Sequence, residues 1–228
     1  MRRFVVLPGL HGTTQLLDAF VACAPHDARV EPVALPSECL TYEALAARLA
    51  ASLRLTPDTT LVAESFSGPL AILLAERSSL AALVLCNSFA VHPYPQVLSR
   101  LPLALIARTP LPAPLVRHYI VGSKASASLV NQVRDAVAAV PYEILACRAR
   151  SALEVNVAEN LARCRLPILY VRGREDNLVR EKSVRQVVTA AATPVSVARI
   201  AGPHLILKTA ARDSWRAIDE FVSRVVVP

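Results

Sequence analysis

The sequence predicts an α/β protein in which a mostly parallel, doubly wound sheet of about six strands carries a helical insertion. Short apolar runs rich in β-branched residues alternate with helix-period segments over residues 1–89 and again over 166–228. Residues 90–165 lack strand patterns, and six of the 17 prolines fall between Pro93 and Pro114. Strand–helix alternation is typical of a parallel sheet with helices on both faces, so we expect a split core (1–89 and 166–228) and a helical cap (90–165).

Composition limits the protein to a few classes. The chain has 228 residues, of which 54% are hydrophobic and 19% charged, and this excludes a disordered chain. No uncharged apolar stretch reaches the roughly 18 residues that a membrane span needs. The apolar run Phe4–Leu7 stops at Pro8 and is too short for a secretory signal. We therefore expect no membrane span.

The cysteines suggest a reducing compartment. There are five, an odd number, and they are scattered without C-x-x-C spacing. This distribution is more typical of reduced thiols than of disulfides or a zinc site. The sequence therefore predicts a cytoplasmic protein with neither a metal nor a cofactor.

The first half of the chain predicts four strands and three helices. Thr41 is the expected N-cap of the second helix, and Thr13 or Thr14 could cap the first. The predicted strands cover 4–7, 29–35, 59–63 and 81–86, and the predicted helices cover 15–23, 42–53 and 66–77.

The second half predicts an all-helical stretch followed by renewed alternation. In the insertion, helices are expected over 129–139, 141–150 and 151–162, after an irregular proline-rich segment. Strands then follow at 168–171 and 195–200, with helices at 180–192 and 209–226.

A serine lies where the third strand turns directly into a helix, in Ala63-Glu64-Ser65-Phe66-Ser67. Such a tight turn needs small residues two positions before and after the serine, and Ala63 and Ser67 are small. Ser67 is a rival nucleophile, but it would put Pro69 at a position that needs a small side chain. With Ser65 at the corner, Pro69 falls in the first helical turn, where its missing N–H costs nothing. An N-cap role for Ser65 is the structural alternative.

An acid and a base follow two later strands. Gly173-Arg174-Glu175-Asp176 comes after the strand at 168–171 and offers Glu175 or Asp176 as the acid. Gly202-Pro203-His204 follows the last strand, 28 residues after Asp176.

These motifs resemble those of the α/β-hydrolase fold, in which a G-x-S-x-G nucleophile elbow precedes an acid and then a histidine. The segment Pro8-Gly9-Leu10-His11-Gly12 resembles the H-G-x-G oxyanion loop of that family, with Pro8 replacing its histidine. The resemblance implies a catalytic triad of Ser65, Asp176 and His204. It also implies oxyanion donors at the backbone N–H groups of Leu10 and Phe66, whereas His11 could line the substrate pocket or be structural.

The implied activity is hydrolysis of small or short-acyl carboxylic esters through an acyl-enzyme. A thioesterase or an acyl-carrier-linked esterase would use the same triad, and fold alone does not separate them. A catalytically silent hydrolase-fold binding module is the alternative from another class.

The net charge of +7 lies mainly in the insertion, which holds nine Lys/Arg and four acids. Aromatic residues make up only 5% of the chain, so an ordinary basic surface is favoured over nucleic-acid binding. A basic outer face on the cap could dock an acidic carrier protein, with Arg148 and Arg150 as candidate contacts. A plain solvated cap is the favoured alternative.

Overall fold

Six strands form one sheet in the order β2-β1-β3-β4-β5-β6, and every neighbouring pair is parallel. The structure is a computed structural model and describes residues 1–225. It confirms the predicted fold class and the number of strands. The strands are β1 Arg2–Leu7, β2 Ala28–Pro32, β3 Thr59–Glu64, β4 Ala82–Cys86, β5 Ile168–Gly173 and β6 Val195–Ile200.

Helices follow most of the strands and fill the insertion. Within residues 1–225, every helix is too short or too polar to cross a bilayer. The core helices are α1 Asp18–Ala22, α2 Tyr42–Ser52, α3 Ser67–Arg77, α9 Glu181–Ala190, α10 Ile206–Thr209 and α11 Ala211–Val225. The insertion contains α4 Leu103–Arg108, α5 Ala113–Leu115, α6 Ala127–Ala138, α7 Tyr142–Glu154 and α8 Ala158–Arg163, with a 3₁₀ turn at Gln96–Arg100 and a π-helical turn at Val116–Val121.

The alternation of side chains along each strand divides the core into two layers. Val5 and Leu7 of β1 pack with α2, α3 and α9 on one face, whereas Phe4 and Val6 pack with α1 and α11 on the other. The Trp215 ring stacks on Phe20 at a centroid distance of 4.3 Å. Because both faces are covered, the central strands β3, β4 and β5 are buried along their whole length and are mostly apolar, as expected for a parallel sheet.

The strand order reverses between β1 and β3. The helix that follows β1 packs on the opposite face of the sheet from α3, which follows β3. Loops that leave a sheet in opposite directions open a crevice at the carboxyl ends of the strands, where ligands bind in open α/β sheets. The Leu10 loop and Ser65 both border this crevice.

The insertion contacts the core above the crevice and also through α8, at the C-terminal end of the insertion. Helix α8 packs against α3 and α9, and Leu161 lies in the same buried cluster as these helices. A single antiparallel bridge joins Val91 to Asn156.

Most predicted elements are confirmed, but three helix boundaries are wrong, and the second strand, predicted to reach residue 35, ends at Pro32. The first helix begins with a 3₁₀ turn at Gln15–Leu17, and Thr14 makes no side-chain cap. Helix α7 continues to Glu154, so the helix expected over 151–162 starts only at Ala158. The last helix is interrupted at Ala210, and the predicted terminal residue Val226 lies outside the described residues. The Thr41 cap is confirmed, since its side chain accepts a hydrogen bond from the Ala44 N–H.

The expectation of five reduced thiols is wrong. Cys39 and Cys147 form a disulfide with a Cα–Cα distance of 5.6 Å, while Cys23, Cys86 and Cys164 are free. The bond joins the loop after β2 to α7 of the insertion, across 108 residues of sequence. Sequence spacing could not reveal the pair, because the two cysteines meet only when the insertion folds back onto the core. Disulfides persist mainly in oxidising compartments, so the cysteines no longer support a cytoplasmic location.

Candidate active site

Ser65 occupies a left-handed corner between β3 and α3. Its φ is +53°, a value that residues other than glycine seldom adopt. The Ser65 N–H donates to the Cys86 carbonyl (2.9 Å), and the Ser65 carbonyl accepts from the Ser88 hydroxyl (2.5 Å). These bonds hold the strained corner, so that the side chain points out of the sheet.

Ser65, His204 and Asp176 form a continuous hydrogen-bonded chain. The Ser65 Oγ lies 2.8 Å from His204 Nε2, and His204 Nδ1 lies 3.0 Å from Asp176 Oδ2. All three side chains are buried. With Nδ1–H donating to the carboxylate, Nε2 is free to accept the serine proton.

The rival residues face elsewhere. The Ser67 hydroxyl donates to the Pro8 carbonyl and is fully buried. Glu175 is exposed to solvent, and its backbone N–H donates to the Gly202 carbonyl. Of the alternatives considered, only Ser65 and Asp176 contact His204.

The Asp176 carboxylate is oriented by four donors. Its Oδ1 accepts from the N–H groups of Leu178 (2.8 Å) and Val179 (3.0 Å). Its Oδ2 is shared between His204 and the Arg172 guanidinium, which lies 2.8 Å away. Arg172 is itself 8% exposed and also donates to the Asp176 carbonyl. The loop that carries Asp176 is thus fixed from β5.

Asn87 fixes the histidine loop. Its side-chain amide donates to the carbonyls of Pro203 (3.0 Å) and His204 (2.8 Å), and its Oδ1 accepts from the Gly173 N–H (2.8 Å). Asn87 has a φ of +44° and is fully buried. One side chain at the end of β4 therefore ties the loops after β5 and β6 together.

The Leu10 and Phe66 amides lie on neighbouring loops. Ser67 bonds the Pro8 carbonyl, and a Cβ placed on Gly9 would lie 3.8 Å from the Ser65 Cβ. Within residues 1–225, neither amide donates a hydrogen bond to another protein group. Two unpaired N–H groups beside a serine hydroxyl are suited to an oxyanion.

Arg148 is not on the outer face where we expected it. It is 2% exposed, and its guanidinium donates to the carbonyls of Leu10, His11 and Pro36, each at 2.9 Å. A Cβ at Gly12, where φ is +72°, would come within 2.4 Å of this guanidinium. The residue projects inward because it lies on the face of α7 that covers the loop 8–12, whereas Arg150 is exposed.

His11 lines the cavity above Ser65 and is also tied to its own loop. Its Nδ1 accepts a hydrogen bond from the Thr13 N–H (3.1 Å). Burial and then the Arg148 charge lower the pKa of His11 to about 4, so the ring is neutral near pH 7. A neutral imidazole anchored in this way fits a structural role as well as a lining one.

Glu64 is a buried carboxyl next to the nucleophile. Its Oε1 accepts from the Leu207 N–H (3.0 Å), and the side chain is 1% exposed. Burial raises the pKa of Glu64 to about 7, with a further contribution from the Asp176 charge and an opposing one from His204. The Glu64 carboxyl therefore links the end of β3 to the segment that follows His204.

A cavity of about 460 Å³ lies over Ser65. It is bounded by the core and by the insertion, and its polar lining comes from His11, Glu64, Ser65, Thr109 and His204. The remaining walls are mostly apolar and include Leu16, Leu103, Ile106, Leu111, Val133, Leu145 and Leu178. Among the described residues 1–225, no Lys or Arg lines it. In the part of the chain that the structure describes, no group of three or more His, Cys, Asp or Glu could hold a metal ion.

Comparisons with solved structures identify the fold of this chain. No family model matches the sequence, and no curated protein matches it significantly. Solved structures superpose closely: an esterase from Exiguobacterium antarcticum has a TM-score of 0.85 at 12% identity, covering 98% of this chain and 92% of that one. An enol-lactonase from Burkholderia xenovorans LB400 gives 0.79 at 16% identity (97% and 91% covered), and a bromoperoxidase from Bacillus anthracis gives 0.80 at 17% (97% and 92%). The chain has the α/β-hydrolase fold.

In this α/β-hydrolase fold, the three residues predicted as a triad meet, but four residues around them had not been singled out for such a role. Asn87 and Arg172 orient the histidine and acid loops, Glu64 bonds the segment after His204, and Arg148 was assigned to the wrong surface. Only Asn87 carried a usable signal, since it directly follows a buried strand.

Proposed function

We propose that this protein is a serine hydrolase that cleaves carboxylic esters through an acyl-enzyme. The observation that supports the proposal is the chain of hydrogen bonds from Ser65 through His204 to Asp176 at the floor of an apolar cavity. Solved structures of the same fold include esterases and a lactonase. The chemistry of the site, more than the fold, carries the proposal.

In the proposed reaction, His204 Nε2 takes the Ser65 proton while Oγ attacks the ester carbonyl. Asp176 holds the imidazole with Nδ1–H towards the carboxylate and stabilises the imidazolium that forms. The alcohol then leaves with the proton from His204. Water, activated by the same imidazole, attacks the acyl-Ser65 ester and releases the carboxylic acid.

The tetrahedral intermediates place negative charge on the former carbonyl oxygen. We assign its stabilisation to the Leu10 and Phe66 N–H groups, which have no protein acceptor within residues 1–225. Loss of one such donor costs about 3 kcal/mol of transition-state stabilisation. Tyr42 supports this arrangement, because its hydroxyl donates to the Phe66 carbonyl at 2.9 Å.

The cavity favours uncharged, apolar acyl groups. Its volume of about 460 Å³ is within the range of small-molecule sites. A charged acyl group would meet no cationic side chain among the lining residues and would lie near Glu64. We propose that the insertion (90–165) acts as a cap that shapes this cavity. Thioesters of the same acyl groups would react by the same steps.

Steady-state hydrolysis of p-nitrophenyl butyrate tests the function. The wild-type protein should turn over the ester, and Ser65→Ala should remove nearly all turnover while leaving the thermal unfolding midpoint within a few degrees. Ser183→Ala is the matched control, because Ser183 is buried on α9 away from the cavity, and it should keep wild-type turnover.

Two results would contradict the proposal. Turnover by Ser65→Ala close to wild type would exclude Ser65 as the nucleophile. Absence of turnover by a folded wild-type protein on both esters and thioesters would favour a binding module instead.

A further inference from the structure

Exposed apolar side chains concentrate on one part of the insertion. Val97, Leu101, Leu105, Ile106 and Leu115 have exposed fractions of 61%, 44%, 59%, 52% and 47%. We call these five residues the outer patch. Val97 lies on the 3₁₀ turn 96–100 and Leu101 directly after it, Leu105 and Ile106 lie on α4, and Leu115 ends α5. A cluster of exposed large apolar side chains typically marks an interaction surface.

The outer patch adjoins the opening of the cavity. Ile106 and Leu115 line the cavity and are also exposed, so the cavity reaches solvent between α4 and α5. Val97, Leu101 and Leu105 do not line it and extend the apolar surface outward. A ligand that covers the outer patch would therefore cover the entrance.

Basic residues alternate with the apolar ones, and acids are absent from this stretch of sequence. Arg100, Arg108 and Arg117 follow Val97, Ile106 and Leu115 by two or three positions, and residues 77–134 contain no Asp or Glu. None of the three arginines has a carboxylate within 4.0 Å in the described chain. The Arg108 guanidinium lies over the Tyr142 ring at 4.4 Å and donates to the Tyr142 hydroxyl at 2.5 Å, and the charge of Glu143 acts on it.

We propose that the outer patch docks on an anionic lipid surface, so that the cavity opens toward the lipid. The apolar side chains would enter the region below the headgroups, and the arginines would contact lipid phosphates or carboxylates. The docking goes beyond the proposed hydrolysis and does not require it.

Charge and polarity favour lipid over two other occupants. A second copy would bring the same arginines together without acids in this segment to pair them, on a chain of net charge +7. An acidic carrier protein would satisfy the arginines but would leave five large apolar side chains against a charged surface. An anionic bilayer satisfies both requirements.

Co-sedimentation with vesicles tests the proposal. Wild-type protein should bind vesicles of phosphatidylcholine with 30% phosphatidylglycerol and bind pure phosphatidylcholine weakly, with binding reduced by salt. The combined change Arg100→Gln and Arg108→Gln should weaken binding roughly 30-fold, because each arginine near such a surface contributes about a factor of five. The change of Val97, Leu101 and Leu105 to serine should weaken it by about tenfold or more.

Matched variants distinguish an effect of the outer patch on vesicle binding from a general effect of removing charged or apolar surface residues. The double variant Arg185→Gln and Arg212→Gln removes two exposed arginines outside the insertion. The double variant Val21→Ser and Val188→Ser removes two exposed apolar side chains outside the insertion. Each double variant should bind vesicles like wild type. The patch variants should keep their turnover of a soluble ester, since the changed residues do not line the cavity. Ser65→Ala should bind vesicles fully, so a failure of hydrolysis would not be mistaken for a failure of docking.

Several outcomes would overturn the proposal. These are no binding to anionic vesicles, equal losses in the core controls, or binding that is independent of the outer patch. Sedimentation as a dimer that the patch variants abolish, without vesicle binding, would assign the surface to a second copy. Binding of an acidic carrier protein in place of vesicles would assign it to that class of partner.

Discussion

At the scale of single residues, local pattern together with the resemblance to the α/β-hydrolase fold predicted that Ser65, Asp176 and His204 meet, but it did not predict the residues that support them. The serine corner is recognisable because only small residues fit around it, and the acid and histidine follow strands in a fixed order. Arg148 and Glu64 depend on which face of a helix or strand is covered by a distant segment. The charge of Arg148 suggested an exposed side chain, whereas in the structure it is buried and donates to the carbonyls of Leu10 and His11.

Glu64 gives the unfolding free energy a defined pH dependence. Its folded pKa of about 7 lies above the ordinary value of 4.5, so the folded protein holds this proton more tightly than the unfolded chain does. The resulting stabilisation is complete below about pH 4.5 and is lost as the pH rises through 7. The Glu64→Gln variant keeps an acceptor for the Leu207 N–H and cannot ionise at this position. As the pH rises from 4.5 to 8, its free energy of unfolding should therefore increase by on the order of 3 kcal/mol relative to that of wild type.

Urea unfolding followed by Trp215 fluorescence would measure this difference. The titration of His11 is common to both proteins and cancels in the comparison. Glu220→Gln, at an exposed position on α11, should show no such change. A difference between Glu64→Gln and wild type that stays constant with pH would contradict the assignment.

Arg148 is expected to act on turnover through the oxyanion loop. Arg148→Lys keeps the charge but cannot span three carbonyls with one planar group. We expect kcat to fall by about tenfold to a hundredfold with little change in KM, because the affected interaction forms only in the transition state. Arg150→Lys, at the exposed neighbouring position, should behave as wild type.

Chemical rescue of a truncated variant distinguishes a positioning role of Arg148 from a role in packing alone. Added guanidinium ion should partly restore the kcat of Arg148→Gly at concentrations below those that unfold the protein. A proportional loss of folded protein and of activity, with no rescue and no change in the kcat of the remaining folded fraction, would mean that Arg148 only stabilises the fold.

At the scale of secondary-structure elements, the periodic segments were predictable, including the helices near 129–139 and 141–150 in the insertion, and the proline-rich start of the insertion was not. Helix α2 has its Thr41 cap and a clear apolar face, so its bounds were predicted to within a residue. Between Pro93 and Pro114, each helix is short, and its ends depend on tertiary contacts. The break at Ala210 likewise has no breaker residue, since neither glycine nor proline is present there.

The disulfide should stabilise the docking of α7 on the core. Oxidised protein unfolded in guanidinium chloride should present three thiols to a thiol reagent, and reduced protein five. Reduction, or Cys39→Ser, should lower the free energy of unfolding by about 2–5 kcal/mol, because the bond closes a long loop in the unfolded chain. Cys23→Ser should change it little. Five reactive thiols in protein purified without reductant would contradict the pairing.

At the scale of the whole molecule, the core supplies the groups that we propose react, and the insertion supplies most of the cavity wall. Hydrolysis should therefore depend on the acyl group. p-Nitrophenyl esters from acetate to octanoate should show a rise in kcat/KM with chain length as apolar surface is buried. A hemisuccinate ester should be at least about tenfold poorer than the butyrate, because its carboxylate would be buried without a partner. Equal or faster turnover of the hemisuccinate would show that the cavity does not hold the acyl group.

The central claim is that Ser65 is the nucleophile of a hydrolytic site, and covalent labelling tests it most directly. Wild-type protein treated with a fluorophosphonate should gain one adduct, which tandem mass spectrometry should locate on Ser65. His204→Ala should slow the labelling at least a hundredfold, and Ser65→Ala should abolish it. An adduct on Ser67, or none on a folded protein that hydrolyses esters, would contradict the account.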